Sequence, residues 1–228
     1  MMKKITISVA AIVALSSFGF AGGNIAPVPV PVDESQDYFY GGVALTYHTT
    51  YSTDQKWFDN GTPTQDETGG IMGIIGYNYN QYLAVEGRIG ASFFDEDYSE
   101  TFGWSIFVKP QYQFLDDEKG YNTDYFTLYG LLGFGGVKVD GCNGDAPAHP
   151  ADFGKTILDD TSFQWGIGLS YTFVDEDDAD RSGDWSIFVE YNNLISDGEI
   201  NSQLYGYDPQ YYTELSQETI NVGLTYRF

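Results

Sequence analysis

The last segment of the sequence alternates apolar and polar residues without a break, and this pattern constrains the fold most. Every second residue is apolar: Ile220, Val222, Leu224, Tyr226 and Phe228. The residues between them are threonine, asparagine, glycine and arginine. Because successive side chains of a β-strand point to opposite faces, a period of two predicts a strand with one apolar and one polar face.

The same alternation recurs from Tyr38 onward. Residues 162–173 alternate aromatic and aliphatic residues with serine, glutamine, glycine and threonine, and residues 102–114 follow a similar pattern. Several short alternating segments separated by turn residues are typical of an all-β domain. Eight segments are predicted as strands: 38–49, 68–79, 81–94, 101–115, 123–139, 161–174, 184–196 and 216–228.

The two faces of these segments differ in a way that indicates a membrane wall. The apolar face carries aromatic residues towards both ends and aliphatic residues between them. A lipid-facing wall with two aromatic girdles needs this arrangement, whereas the outward face of a soluble sandwich is rich in charge. The opposite face is small and polar, as expected inside a narrow barrel. The predicted fold is all-β, an eight-stranded antiparallel transmembrane up-and-down β-barrel over residues 38–228.

The lengths of the connections predict the orientation of this barrel. An even number of strands places both termini on one side, which is the periplasmic side in barrels of this kind. Three of the four predicted outer connections are long and the inner ones are shorter, as this class requires. The outer connections are 50–67, 95–100, 140–160 and 197–215, and the inner ones are 78–81, 116–122 and 175–184.

The N-terminus has the features of an export signal. Two lysines precede an apolar run over 5–15, and Gly19 and Ala21 fit the −3 and −1 positions of a cleavage site. We therefore predict a secretory signal peptide over 1–21, because the apolar run is too short for a membrane-spanning helix. Residues 22–37 are predicted to form a stiff periplasmic linker, because proline and valine alternate over 27–32.

Composition limits the partners of the chain. There are 33 acidic residues against 10 lysines and arginines, and the net charge is −23. Nucleic acid is excluded as a partner, because binding to phosphates depends on lysine and arginine. The single cysteine, Cys142, has no partner for a disulfide within the chain.

With these features the chain resembles the OmpA/OmpX-like small outer-membrane β-barrels of Gram-negative bacteria, also described as porin-family surface proteins. The resemblance rests on residues 1–21, the eight alternating segments and the terminal Tyr226-Arg227-Phe228. It implies export to the outer membrane, contact with its lipid, and recognition by the barrel-assembly machinery. The assembly signal would be the alternate residues that end at Phe228. The peptidoglycan-binding domain of longer relatives is not expected here.

Five charged residues fall on the predicted interior face. Charges in a lumen of low dielectric constant must be paired, so these residues are predicted to form a salt-bridge network that fills the barrel. A gated ion path is the alternative interpretation. The residues of this interior charge network are Glu86, Arg88, Lys109, Glu190 and Arg227.

Catalytic and metal sites are not predicted. His48 and His149 have no nucleophile or acid at a diagnostic spacing, so a lipid-modifying barrel enzyme remains only a third alternative. Within residues 175–184, Asp178, Asp180 and Ser182 match the start of a calcium loop, but Val189 stands at its twelfth position, where the bidentate glutamate is expected. A solvated acidic turn is the simpler interpretation, and no cofactor is expected.

Outer loops are where a barrel of this kind gains function. The sequence therefore predicts a non-enzymatic structural or surface-interaction protein, with a possible extracellular ligand bound through its loops. A narrow porin-like channel is the alternative. The surface-loop aromatic residues that would make such contacts are Trp57, Phe58, Tyr205, Tyr207, Tyr211 and Tyr212.

Overall fold

The structure of the protein is a computed structural model, in which eight strands form a closed antiparallel barrel. The predicted signal peptide and most of the predicted linker lie outside the described residues, as do Cys142, His149 and all six loop aromatic residues. Of the acidic segment 175–184, only the last two residues are described. The residues described are 37–51, 64–92, 99–115, 123–141, 156–174, 183–199 and 214–228.

The strands follow one another around the barrel in chain order, and each pairs with the next. They are β1 (Tyr38–Tyr51), β2 (Thr64–Asn80), β3 (Leu83–Ser92), β4 (Ser99–Phe114), β5 (Tyr125–Gly141), β6 (Thr156–Phe173), β7 (Trp185–Glu199) and β8 (Glu214–Arg227). Within the described ranges, no helix is long and apolar enough to cross a membrane.

Pairing of the first and last strands closes the barrel. Along this seam Val43 pairs with Leu224, and the backbone N–H of Phe228 donates a 3.0 Å hydrogen bond to the carbonyl of Phe39. Closure leaves no unpaired strand edge, which a sheet in hydrocarbon cannot tolerate. The predicted eight-stranded up-and-down barrel is confirmed.

The two ends of the barrel differ in their connections. We call one end the loop end, because it carries the connections after β1, β3, β5 and β7. We call the other end the turn end. It carries the start of β1, the last residues of β8 and the Gln81–Tyr82 turn. The predicted orientation places the loop end outside the cell.

The outer wall of the barrel is apolar and exposed. On β8, Ile220 and Leu224 expose 53% and 45% of their surface, although both are aliphatic. Aromatic pairs lie on this wall towards both ends. At the turn end, the rings of Trp185 and Tyr226 are 4.9 Å apart, and at the loop end those of Phe134 and Phe163 are 5.8 Å apart. A wall of this kind is stable against lipid and not against water.

Strand boundaries differ from the prediction mainly at the loop end. There β2 begins at Thr64 instead of residue 68, and β6 at Thr156 instead of residue 161. These extensions are mostly polar, although Leu158 in β6 is apolar and buried, and they lack the regular apolar alternation that identified the membrane-spanning parts. They form strands because the adjacent strand extends equally far and pairs with them, as Asp140 of β5 pairs with Thr156 of β6. Strand β3 is shorter than predicted and ends at Ser92.

The interior is not uniformly small and polar, which corrects the expectation from the sequence. Two apolar clusters fill part of it, because side chains rather than water must fill the lumen of a narrow barrel. The residues of both clusters occupy inward positions of the strands. Period-two counting therefore gives the correct face for them, but the description of that face as small and polar was too simple. One cluster is Tyr40, Ala44, Met72, Ile74, Ala84 and Phe188, and the other is Phe107, Tyr129 and Leu131.

Candidate functional site

A buried ion pair crosses the middle of the lumen. Arg88 on β3 donates from Nε to Glu86 Oε2 at 2.8 Å, and its Nη2 donates to the same carboxylate. The same guanidinium also binds Glu190 on β7, through Nη1 to Oε1 and through Nη2 to Oε2 at 3.1 Å. Strands β3 and β7 are four strands apart in a ring of eight, so this contact joins opposite walls.

Lys109 on β4 completes the charges at this position. Its Nζ donates to Glu86 Oε1 at 2.7 Å and lies 4.1 Å from the centre of the Tyr129 ring. We call Glu86, Arg88, Lys109 and Glu190 the charge cluster. Its two cations and two carboxylates balance, which a buried group of charges requires.

Two tyrosines hold the carboxylates of the charge cluster. The Tyr40 hydroxyl donates to Glu86 Oε1 at 2.6 Å, and the Tyr129 hydroxyl donates to Glu190 Oε2 at 2.9 Å. Neither tyrosine was predicted as a site residue. Their inward positions were available from the alternation of β1 and β5, and an aromatic residue on an otherwise small face was the signal.

Each of these tyrosines reaches its carboxylate across a glycine. Tyr129 on β5 is paired with Gly168 on β6, and Gly168 is paired with Glu190 on β7. A Cβ on Gly168 would stand 2.4 Å from Cζ of Tyr129. The ring therefore occupies the space that any larger residue would take.

Two asparagines fix the other side of Glu190. The Nδ2 atoms of Asn192 and Asn221 donate to Glu190 Oε1 at 3.0 Å and 3.1 Å. With Arg88 and Tyr129, they give this buried carboxylate hydrogen bonds on both oxygens. Hydrogen bonds on both oxygens restrict the movement of this buried carboxylate.

Arg227 makes different contacts from the other four predicted network residues. Its Nη1 is 3.9 Å from Asp184 Oδ2, and its guanidinium lies 4.0 Å from the centre of the Tyr38 ring. It faces the same turn-end cavity as the charge cluster but is not bonded to it. The expectation of a single five-residue network is corrected here, because the last residue of β8 lies at the barrel mouth rather than at mid-height.

Two small cavities lie in the lumen, and Arg88 lines both. The cavity towards the turn end has a volume of about 50 Å³, and the one towards the loop end has about 30 Å³. Each has room for a few water molecules at most. The charge cluster separates them.

The other predicted residues lie elsewhere. His48 faces the lumen near the loop end, where its Nε2 is 2.8 Å from Thr46 Oγ1. The alternate residues of the predicted assembly signal lie on the outer wall of β8, with Phe228 just beyond the strand. Among the residues that the structure describes, no group of histidine, cysteine, aspartate and glutamate is arranged to hold a metal ion.

These features define a small transmembrane β-barrel with a charge-filled lumen. The family model of the outer membrane protein beta-barrel domain matches residues 11–228, so the chain belongs to that family. It is therefore an outer-membrane β-barrel of the Gram-negative type. A comparison with curated protein sequences found no match.

Several solved structures are similar in fold. Neisserial surface protein A is 14% identical, with 83% of this chain and 97% of that chain covered and a TM-score of 0.46. Ail, the attachment invasion locus protein of Yersinia pestis, solved in complex with the heparin analogue sucrose octasulfate, is 16% identical, with 84% and 99% covered and a TM-score of 0.44. OprG from Pseudomonas aeruginosa is 14% identical, with 84% and 95% covered and a TM-score of 0.44.

Proposed function

We propose that this protein is a non-enzymatic surface barrel whose lumen is closed and whose outer loops carry its structural or interaction role. The mature chain would reach the outer membrane after signal-peptide export and assembly by the barrel-assembly machinery. Its partners are outer-membrane lipid around the wall and an extracellular ligand at the loops.

The observation that carries the closed lumen is the crossing of Arg88 from β3 to Glu190 on β7. Both residues are buried, and together with Glu86 they occupy the space between opposite walls. Opening a path would separate Arg88 from Glu190 and leave that buried carboxylate with neutral partners only. Loss of one member of a buried ion pair costs about 3–5 kcal/mol. A barrel filled in this way supports its loops and does not conduct.

A narrow channel for ions or small solutes is the second candidate. It is favoured by the two cavities that lie on either side of Arg88, since they would join if the charge cluster rearranged. The two candidates differ in whether the resting protein conducts.

Planar-bilayer recording of the purified mature protein tests the proposal. We expect no current steps above those of the bare bilayer. A cell-attachment assay on protein-coated and sugar-coated surfaces tests the interaction role of the loops. It compares a loop variant, Trp57→Ser/Phe58→Ser, with a wall variant, Trp185→Ser. Regular current steps from the unmodified protein would establish the channel and refute the closed lumen.

A further inference from the structure

A second contact crosses the lumen nearer the loop end. The Nε2 atom of Gln217 on β8 donates to Thr101 Oγ1 on β4 at 2.9 Å and lies 3.3 Å from Thr50 Oγ1 on β1. Strands β8 and β4 are again opposite in the ring. Gln217 is completely buried, although it lies close to the end of the described part of its strand.

Apolar side chains fill the lumen beside this crossing. Leu158 on β6, Ile195 on β7 and Leu215 on β8 are each at most 1% exposed. Leu158 and Ile195 converge on Gly198, where an added Cβ would stand 3.0 Å from Leu158 Cδ1 and 2.7 Å from Ile195 Cδ1. We call Gln217 and these three buried residues the outer closure.

The outer closure and the charge cluster lie at different heights. Along β4, the inward residues run from Lys109 in the cluster through Ser105 to Thr101 at the outer closure. Along β8 they run from Asn221, which binds Glu190, to Gln217. Each path covers at least four residues, so the two layers are separated by about 10 Å or more.

The cavity of about 30 Å³ lies between these two layers. Its lining includes Ser105, His48, Gln164, Asn192 and Asn221. One polar atom of each of the last four has no hydrogen-bond partner among the described residues. Buried polar groups are normally bonded to protein or to water, so the chemistry of this space suits a few enclosed water molecules.

We propose that the outer closure, and not the charge cluster, keeps extracellular solutes out of the lumen, and that the space below it is an isolated chamber for water. This inference rests on the closed lumen of the proposed function. It adds a second barrier, made of an amide crossing and apolar packing, that does not depend on salt bridges. Breaking the charge cluster alone would leave the loop end shut.

A thiol on the chamber wall tests this. Ser105→Cys in a Cys142→Ser background gives a reporter that is close in size to the natural side chain. The folded protein in detergent is treated with a charged methanethiosulfonate reagent, and the labelling rate is followed by mass spectrometry. Gln217→Ala is expected to raise that rate by about tenfold or more, because a barrier to local opening is removed.

Two further variants separate the outer closure from general loosening. Thr101→Val removes the acceptor of the crossing at constant volume and is expected to raise the labelling rate as well. Gln111→Ala is the matched control, since Gln111 also donates from Nε2, to Asn78 Oδ1 at 2.6 Å, but at the turn end. It should leave the labelling rate unchanged. Heat-modifiable mobility on a cold detergent gel confirms that each variant is folded.

The inference fails if the reporter reacts rapidly with Gln217 in place. It also fails if Gln217→Ala leaves the labelling rate unchanged. This holds as well when Arg88→Ala, without a change at Gln217, raises the labelling rate. Current steps from the unmodified protein would instead refute the closed lumen itself. Failure of the closed lumen is therefore recognised by conductance of the unmodified protein. Failure of the outer closure is recognised by the thiol-labelling result in a protein that does not conduct.

Discussion

Tyr129 lies over Gly168 and donates a 2.9 Å hydrogen bond to Glu190 on the far side of that glycine. The arrangement occurs twice. Tyr40 on β1 lies over Gly76 on β2 and donates to Glu86 on β3 in the same way. Each of these tyrosines donates to a carboxylate that Arg88 also binds. Because the two glycines leave room for the tyrosine rings, they determine the geometry of the charge cluster without contacting it.

The first prediction concerns Gly168. In Gly168→Ala the new methyl group would overlap the Tyr129 ring and displace its hydroxyl from Glu190. We expect the free energy of unfolding in detergent to fall by about 1–3 kcal/mol, the usual cost of overpacking. Gly87→Ala is the control, because its Cβ would meet only Ile75 Cγ2 at 3.7 Å on the lipid side. Equal stability of the two variants would show that the tyrosine is not held by this contact.

Replacing Arg88 by leucine tests the charge cluster itself. Glu86 would keep Lys109, but Glu190 would lose its only described cationic partner and remain buried. The expected loss is about 3–5 kcal/mol in the free energy of unfolding. Arg227→Leu is the matched comparison and should cost less, because its 3.9 Å pair with Asp184 lies at the barrel mouth. An unchanged unfolding midpoint for Arg88→Leu would show that water solvates the cluster.

The orientation of the barrel can be tested on intact cells. If the loop end faces outward, an added protease should cut within 140–160 or 197–215 and spare 116–122, because long exposed connections are the preferred cleavage sites. The fragments are identified by mass spectrometry, with lysed cells as the control. Cleavage only at 116–122 would reverse the assignment of the two ends.

Deletion of residues 226–228 tests the closing strand as an assembly signal. The deletion removes the pairing of Arg227 with Tyr40 and the bond from the Phe228 N–H to Phe39, so the seam between β1 and β8 would be open at the turn end and leave backbone groups unpaired there. We expect the truncated chain to accumulate in the periplasm or to be degraded, and to lose its heat-modifiable band. Phe173→Ala, which removes a half-exposed aromatic residue at the end of β6, should leave that band intact. A truncated chain that still yields the band in the outer membrane would place the signal elsewhere.

Alternation predicted the wall well and the lumen only in part. Ile220 and Leu224 face lipid as expected, because period two fixes the face of every residue in a regular strand. Glu86 and Arg88 were predicted as partners because a buried charge needs one. The contribution of Tyr129 depends on Gly168 in the next strand, and such pairing between strands is set by register. Arg227 was assigned to the same network because its predicted position faces inward. The alternation does not give the height of a residue along the barrel, so its separation from the charge cluster was missed.

The strand extensions at the loop end also determine how far the protein reaches from the membrane. Strand β6 has 18 residues and ends at Phe173 in the aromatic band of the turn end. At about 3.3 Å per residue and a tilt of about 40°, it rises about 45 Å, whereas the apolar band of such barrels is about 25 Å tall. The barrel therefore carries the base of the connection between β5 and β6 about 20 Å beyond the hydrocarbon. A partner bound there must stand clear of the lipid headgroups, and one that lies flat within them would be out of reach.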